Sequence, residues 1–224
     1  MRLATLARDA AAAGLALREA LHPTVADDAP GLANGQPART LVLLGFTGGR
    51  QWSVFAQSPE AADGEPHPLD RWSRRVIDAL ARRHAAMALY PSDGPPWLPF
   101  QRWAMRRGEV HVSPLGLLIH PEYGLWHAYR GALAFADELP LPAVGPARSP
   151  CLDCADQPCR RSCPVGAIQA TGFARDDCRR HVSTVPVNAC RTGGCLARLS
   201  CPVGRAYHYG ADQALFHMDA VVRG

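Results

Sequence analysis

Residues 151–166 read CLDCADQPCRRSCPVG, and residues 190–204 read CRTGGCLARLSCPVG. Between them these two stretches hold seven of the eight cysteines, and Cys178 stands alone in the gap. The spacing is Cys151-x2-Cys154-x4-Cys159-x3-Cys163-Pro164, then Cys178, then Cys190-x4-Cys195-x5-Cys201-Pro202. The tetrapeptide Cys-Pro-Val-Gly closes both stretches, at Cys163 and at Cys201. The first 150 residues contain no cysteine, so the chain divides into two chemical territories.

A bacterial ferredoxin run has the form C-x2-C-x2-C-x3-C-P, and in two-cluster ferredoxins the fourth cysteine of a run ligates the other cluster. A short loop of this kind wraps three corners of a cubane while the proline ends the loop. Carried over to these spacings, one [4Fe-4S] cluster takes Cys151, Cys154, Cys159 and Cys201, and the other takes Cys163, Cys178, Cys190 and Cys195. The run departs from the standard form by two extra residues before Cys159 and by looser spacing in its second half. Zinc is the competing reading, since C-x2-C pairs also serve as zinc knuckles, but the duplicated Cys-Pro-Val-Gly is not a zinc signature. Disulfides would need an oxidising compartment and an export signal that the N-terminus does not offer.

At 224 residues, with 47% hydrophobic and 20% charged residues, the chain can bury one medium core or two small ones, which excludes disorder as the whole answer. All 24 cationic residues are arginine. That excludes a P-loop lysine, a Schiff-base lysine and a lysine general base. The net charge of +4 is spread over scattered arginine pairs such as Arg74-Arg75 and Arg160-Arg161, which leaves nucleic acid unsupported as a partner. Met1 to Leu21, with Leu3, Leu6, Ala10, Leu17 and Leu21 on one face and Pro23 as a stop, is expected to form an amphipathic helix. Its uncharged run is too short to span a membrane and Asp9 spoils it as a signal peptide, so a cytoplasmic protein with no membrane partner is expected.

Upstream of the cysteines, Leu41 to Phe46 is a continuous apolar run expected as a buried strand, and Leu69 to Arg83 is helical with Leu69, Trp72, Val76 and Leu80 on one face. Ala86 to Tyr90 is a second strand, followed by the Pro91-Ser-Asp93-Gly94-Pro-Pro96 turn and a helix through Arg107 closed by Gly108. Further strands are expected at Val110–Val112, Leu115–Ile119 and Trp126–Phe135. The mixture predicts an α+β class, with an N-terminal α/β sandwich-like domain over residues 1–145 and, after the Pro-rich stretch Pro140 to Pro150, a two-cluster ferredoxin-like module over residues 146–224. No G-x-G-x-x-G follows a strand, and neither G-x-S-x-G nor H-E-x-x-H occurs, so dinucleotide, serine-hydrolase and zincin readings lack support.

The segment Pro95 to Leu133, above all Ser113-Pro-Leu-Gly-Leu-Leu-Ile-His-Pro-Glu-Tyr-Gly-Leu-Trp126, resembles the epoxyqueuosine reductases. In that family an apolar strand, Asn-Pro-Glu-Tyr-Gly and an aromatic strand precede a ferredoxin module. Asp177-Cys178-Arg179-Arg180 is similar to the family's isolated fifth cysteine. The resemblance, over roughly residues 40 to 205, implies a corrinoid-binding N-terminal domain fed electrons by two [4Fe-4S] clusters, and an Asp proton donor whose best match is Asp93. The chain stops 23 residues after Cys201 and so lacks the family's tRNA-binding helical repeats, and Val112-Ser113-Pro114 replaces its Gly-Lys-Asn segment. Expected partners are a ferredoxin or flavodoxin as redox donor and a small-molecule or modified-nucleoside substrate, with cobalamin a candidate second cofactor. Without the resemblance Asp93 is a turn residue beside Gly94-Pro95. The alternatives are a non-catalytic ferredoxin-like electron carrier and a structural zinc-binding interaction protein.

Overall fold

The computed structural model describes residues 2–184 and 188–223. Its chain falls into two compact units that interleave in sequence: Met1–Arg107 with Ala128–Pro146, and Gly108–His127 with Ala147–Gly224. The Pro-rich stretch therefore leads to the point where the chain passes into the second unit for the second time.

The first unit opens with α1 (Arg2–Ala12), and strand β1 (Ala16–Leu21) follows directly. The expected helix to Leu21 is thus corrected: α1 ends before Gly14, whose positive φ of 81° reverses the chain. From there Ala16–Leu21 pairs antiparallel with β2 (Thr40–Thr47) in a register that shifts between Leu17 and Ala20. Ladder hydrogen bonds and burial against β2 override the helical composition of this Ala- and Leu-rich stretch. Met1 itself lies outside the described residues.

Strand β2 is buried at all eight positions, as its unbroken apolar run requires. After the short helices α2 (Trp52–Ala56) and α3 (Pro59–Ala62) comes α4 (Pro68–His84), with Pro68 at its first turn, Asp70 near its positive end and Arg82, Arg83 and His84 near its negative end. Its apolar stripe packs Trp72 against Phe46 and Phe55, ring centroids 5.7 and 5.9 Å apart. Strand β3 (Met87–Leu89) and helix α5 (Phe100–Met105) follow, then β4 (His111–Val112) and β5 (Leu118–Ile119), which form an antiparallel hairpin of the second unit, and β6 (His127–Phe135). The main sheet has the order β1-β2-β6-β3, with β3 antiparallel to β6.

The rest of the second unit is built from small pieces: α6 (Pro158–Arg161), the two-residue strands β7 (Ile168–Gln169) and β8 (Gly172–Phe173), α7 (Arg175–Thr184), α8 (Ala189–Gly193), α9 (Leu196–Leu199) and α10 (Ala211–Arg223). Helix and sheet together bear out the α+β class. No helix among the described residues is long and apolar enough to cross a membrane.

Candidate metal centre

All eight cysteines are free thiols and all lie in the second unit. They are part of this unit's core, packed among its aliphatic residues. One core cluster packs Cys201, Leu115, Ile119, Leu125, Ile168 and Ala197 together with Cys151, Cys159, Cys163 and Cys195. A second packs Cys190, Val182 and Met218 with Cys178 and Cys195. Cys195 therefore touches both.

Burial and neighbouring thiols shift several of these cysteines. Burial pushes the Cys151 thiol up from its ordinary pKa, and Cys201, Cys159 and Cys154 push it further. Cys201 is raised by burial and then, against the pull of the Val203 amide, by Cys159 and Cys154. Cys178 is pushed up to about 11, chiefly by burial and then by Cys195, Cys163 and Cys190. Cys195 is raised by burial and by Cys190, its other neighbours pulling the opposite way. Like charges at close range disfavour the thiolate, so neighbouring thiols resist ionisation.

Backbone amides are aimed at the sulfurs. The Ala167 N–H donates to Cys163 Sγ at 3.3 Å. The amides of Ala197 and Arg198, in the first turn after Cys195, pull its thiol pKa down, and those of Val203 and Arg160 do the same at Cys201 and Cys159. Each such bond favours the thiolate over the thiol. The group around Cys201 lines an apolar pocket with Pro150, Pro158, Pro202, Leu115 and Ile119, in which Cys151, Cys154 and Cys159 share the wall. Among the described residues, no three His, Cys, Asp or Glu side chains converge closely enough to hold a single metal ion.

The loop after Cys201 is fixed by a backbone-to-backbone approach within the unit. A Cβ on Gly124 would lie 2.1 Å from the Val203 carbonyl oxygen, and one on Gly204 would lie 2.3 Å from that of Tyr123. Only glycine fits at either place, and both have positive φ.

Asp93 lies in the first unit, in the turn after β3. Its amide donates to the Tyr90 carbonyl at 3.2 Å, and its half-exposed carboxylate is paired with Arg74, whose guanidinium lies 4.1 Å from the Tyr90 ring. Three arginines of this unit are engaged with the chain's own carboxylates: Arg102 with Asp28 at 2.5 Å, Arg106 with Asp27 at 3.1 Å, and Arg130 with Asp70. The aromatic residues divide: Trp103 is fully buried and donates to the Asp27 carbonyl at 2.7 Å, whereas Trp97 is 64% exposed. His111 and His127 bond the Ala147 and Leu118 carbonyls at 2.7 and 3.0 Å, and the His120 ring accepts the Glu122 amide at 3.0 Å.

A four-stranded sheet in one unit and a core built around cysteines in the other define an α+β protein. Its fold is epoxyqueuosine reductase-like: it is similar to the crystal structure of a selenomethionine-labelled epoxyqueuosine reductase at 12% identity and a TM-score of 0.53, over 95% of this chain and 68% of that one. It is also similar to an epoxyqueuosine reductase bound to a modified tRNA stem loop (15% identity, TM-score 0.45, 78% of this chain) and to one from Bacillus subtilis (13%, 0.47, 78%). The chain spans 51% and 50% of the length of these last two. The sequence matches no family profile and no curated protein.

Proposed function

We propose that the chain is an iron-sulfur oxidoreductase whose second unit holds two [4Fe-4S] clusters, one on Cys151, Cys154, Cys159 and Cys201 and the other on Cys163, Cys178, Cys190 and Cys195. The observation that carries this reading is the packing of the cysteines into the core clusters of the second unit, and the partition is the one that the crossing cysteine of a ferredoxin implies. The donor chemistry fits: soft thiolates select iron-sulfur clusters or zinc, and the duplicated Cys-Pro-Val-Gly is not a zinc signature. Clusters bound there accept and pass on single electrons.

The chain's own residues supply the rest. The amides at Cys159, Cys163, Cys195 and Cys201 stabilise sulfur charge. The Pro-rich and aliphatic wall of the first quartet keeps water away from it. The N-terminal unit holds the electron acceptor, a small molecule or modified nucleoside, with cobalamin as the candidate intermediary and a ferredoxin or flavodoxin as donor. Asp93 is the candidate proton donor to that acceptor, with Arg74 orienting its carboxylate.

The test is iron, acid-labile sulfide and zinc on anaerobically purified protein. About eight irons and eight sulfides per chain are expected, the content of two cubanes. Cys201→Ser and Cys178→Ser should each remove half, additively. Stoichiometric zinc without sulfide overturns the reading. With the clusters in place, a visible-spectrum change on adding cobalamin supports an enzyme, and no change favours the non-catalytic carrier.

A further inference from the structure

Helix α9 carries an arginine with an unusual setting. Arg198 stands three residues after Cys195, and its guanidinium carbon lies 4.4 Å from the Trp126 ring centroid and 4.5 Å from that of Tyr209. Its Nη2 donates to the Leu125 carbonyl at 2.6 Å. Its Nε is buried with no hydrogen-bond partner, and among the described residues no carboxylate lies within ion-pair distance of it. Trp126, Cys195, Arg198 and Tyr209 line one small cavity together with His217 and Met218.

A partly buried cation without a counter-ion is costly. Two aromatic faces and one carbonyl offset part of that cost. They do not neutralise the charge. Its field is felt locally, because His208, whose ring centroid is 4.4 Å from that of Trp126, is held below the usual imidazole range by burial, then by Arg205 and Arg198. The nearest group able to carry negative charge on the same wall is the Cys195 sulfur, which also accepts the Arg198 amide.

We propose that Arg198 is a positioning residue for the second cluster, a fixed cation clamped between Trp126 and Tyr209 that raises the reduction potential of the cluster bound through Cys195. This rests on the cluster reading above. Reduction adds one electron, from the donor, to a centre that is already anionic. A nearby positive charge stabilises the more negative, reduced form, and solvent screens it less where the aromatic faces cover it. The first quartet has arginines nearby as well, Arg160 beside Cys159 and Arg205 beside Cys201, but Arg205 is exposed and Arg160 bonds Gln157. The clamp on Arg198 therefore gives the two clusters different electrostatic settings and a direction for electron flow.

The experiment is an EPR-monitored redox titration of the full, anaerobically prepared chain, with iron and sulfide counted first. If the unaltered chain holds no clusters, the underlying reading fails before any variant is made. If it holds them, Arg198→Gln should keep about eight irons and move one midpoint potential to more negative values while the other stays. Tyr209→Leu, which opens the clamp to water, should move the same midpoint in the same direction by less. Arg198→Lys should fall between the unaltered chain and Arg198→Gln. Wild-type midpoints in fully loaded Arg198→Gln overturn the proposal. Should Arg198→Gln fail to load, wild-type midpoints in both loaded Tyr209→Leu and Arg198→Lys overturn it equally.

Discussion

The two units are held together by different chemistry. The first has the anatomy of an ordinary folded domain: a fully buried β2, a 17-residue amphipathic α4 and an aromatic cluster of Phe46, Phe55 and Trp72. Its buried or half-buried charges are matched, Glu60 with Arg75, Asp27 with Arg106 and Arg130 with Asp70. The second has two-residue strands, helices of four or five residues beside the ten-residue α7 among its cysteines, and core clusters in which thiols outnumber any aliphatic type. Helices of four or five residues have no stability of their own in water. On the proposed reading the order of the second unit comes from the clusters its cysteines would hold, whereas that of the first comes from packing.

Removing the metal gives the largest effect this difference predicts. Chelation and oxidative loss of the clusters should abolish protection of α8 and α9 and weaken α7 and α10 in hydrogen exchange, with the amides of β2 and α4 still slow. Metal binding of this kind is folding free energy, so the loss should be cooperative across the unit. Equal loss of protection in both units would mean that the first unit's packing does not suffice by itself, and would erase the comparison.

The features of the first unit that sequence shows are those with a strong period or a strong breaker. The run Leu41 to Phe46 and the stripe from Leu69 to Leu80 are visible because burial selects apolar residues at fixed intervals. Strand β1 is invisible because Ala16-Leu-Arg-Glu-Ala-Leu21 is a good helix former, and only pairing with β2 makes it a strand. Gly14 was the available signal: a glycine there, at positive φ, separates α1 from β1. In the second unit the cysteine spacing is what suggests the proposed quartets, because a cluster constrains its ligands in sequence as well as in space. The aromatic clamp on Arg198 carries no such mark, since Trp126 lies far upstream of α9 and only the tertiary fold brings it there.

A single methyl group sharpens the contrast within the second unit. Gly204→Ala puts a Cβ within 2.3 Å of the Tyr123 carbonyl oxygen at a φ of 76°. The left-handed conformation alone costs alanine about 1–2 kcal/mol, and the backbone must also move, two residues past Pro202. The expected outcome is slower loading and faster loss of the cluster bound through Cys201, read as iron release to a chelator, with the other cluster retained. Release at equal rates from both quartets would show that the two sites do not hold their metal independently.

The smallest effect belongs to the first unit and comes from proton linkage. The bond from Arg75, with Nε 2.5 Å from one Glu60 oxygen and Nη2 2.9 Å from the other, holds the Glu60 carboxyl down at about 2 against an ordinary 4.5. The unfolded chain takes up this proton near 4.5 and the folded chain only near 2. The pair's contribution is therefore fully present above 4.5 and is lost as pH falls from there toward 2. Arg75 is more than half exposed, so water screens the pair and its contribution is modest. Glu60→Gln should lower the melting temperature of the first unit slightly at neutral pH and flatten its decline below pH 4.5. Tryptophan fluorescence is the suitable readout, because Trp52, Trp72, Trp97 and Trp103 all lie in that unit. Parallel acid limbs for the variant and the unaltered chain would show that this charge pair contributes nothing, and that the first unit relies on its apolar core alone.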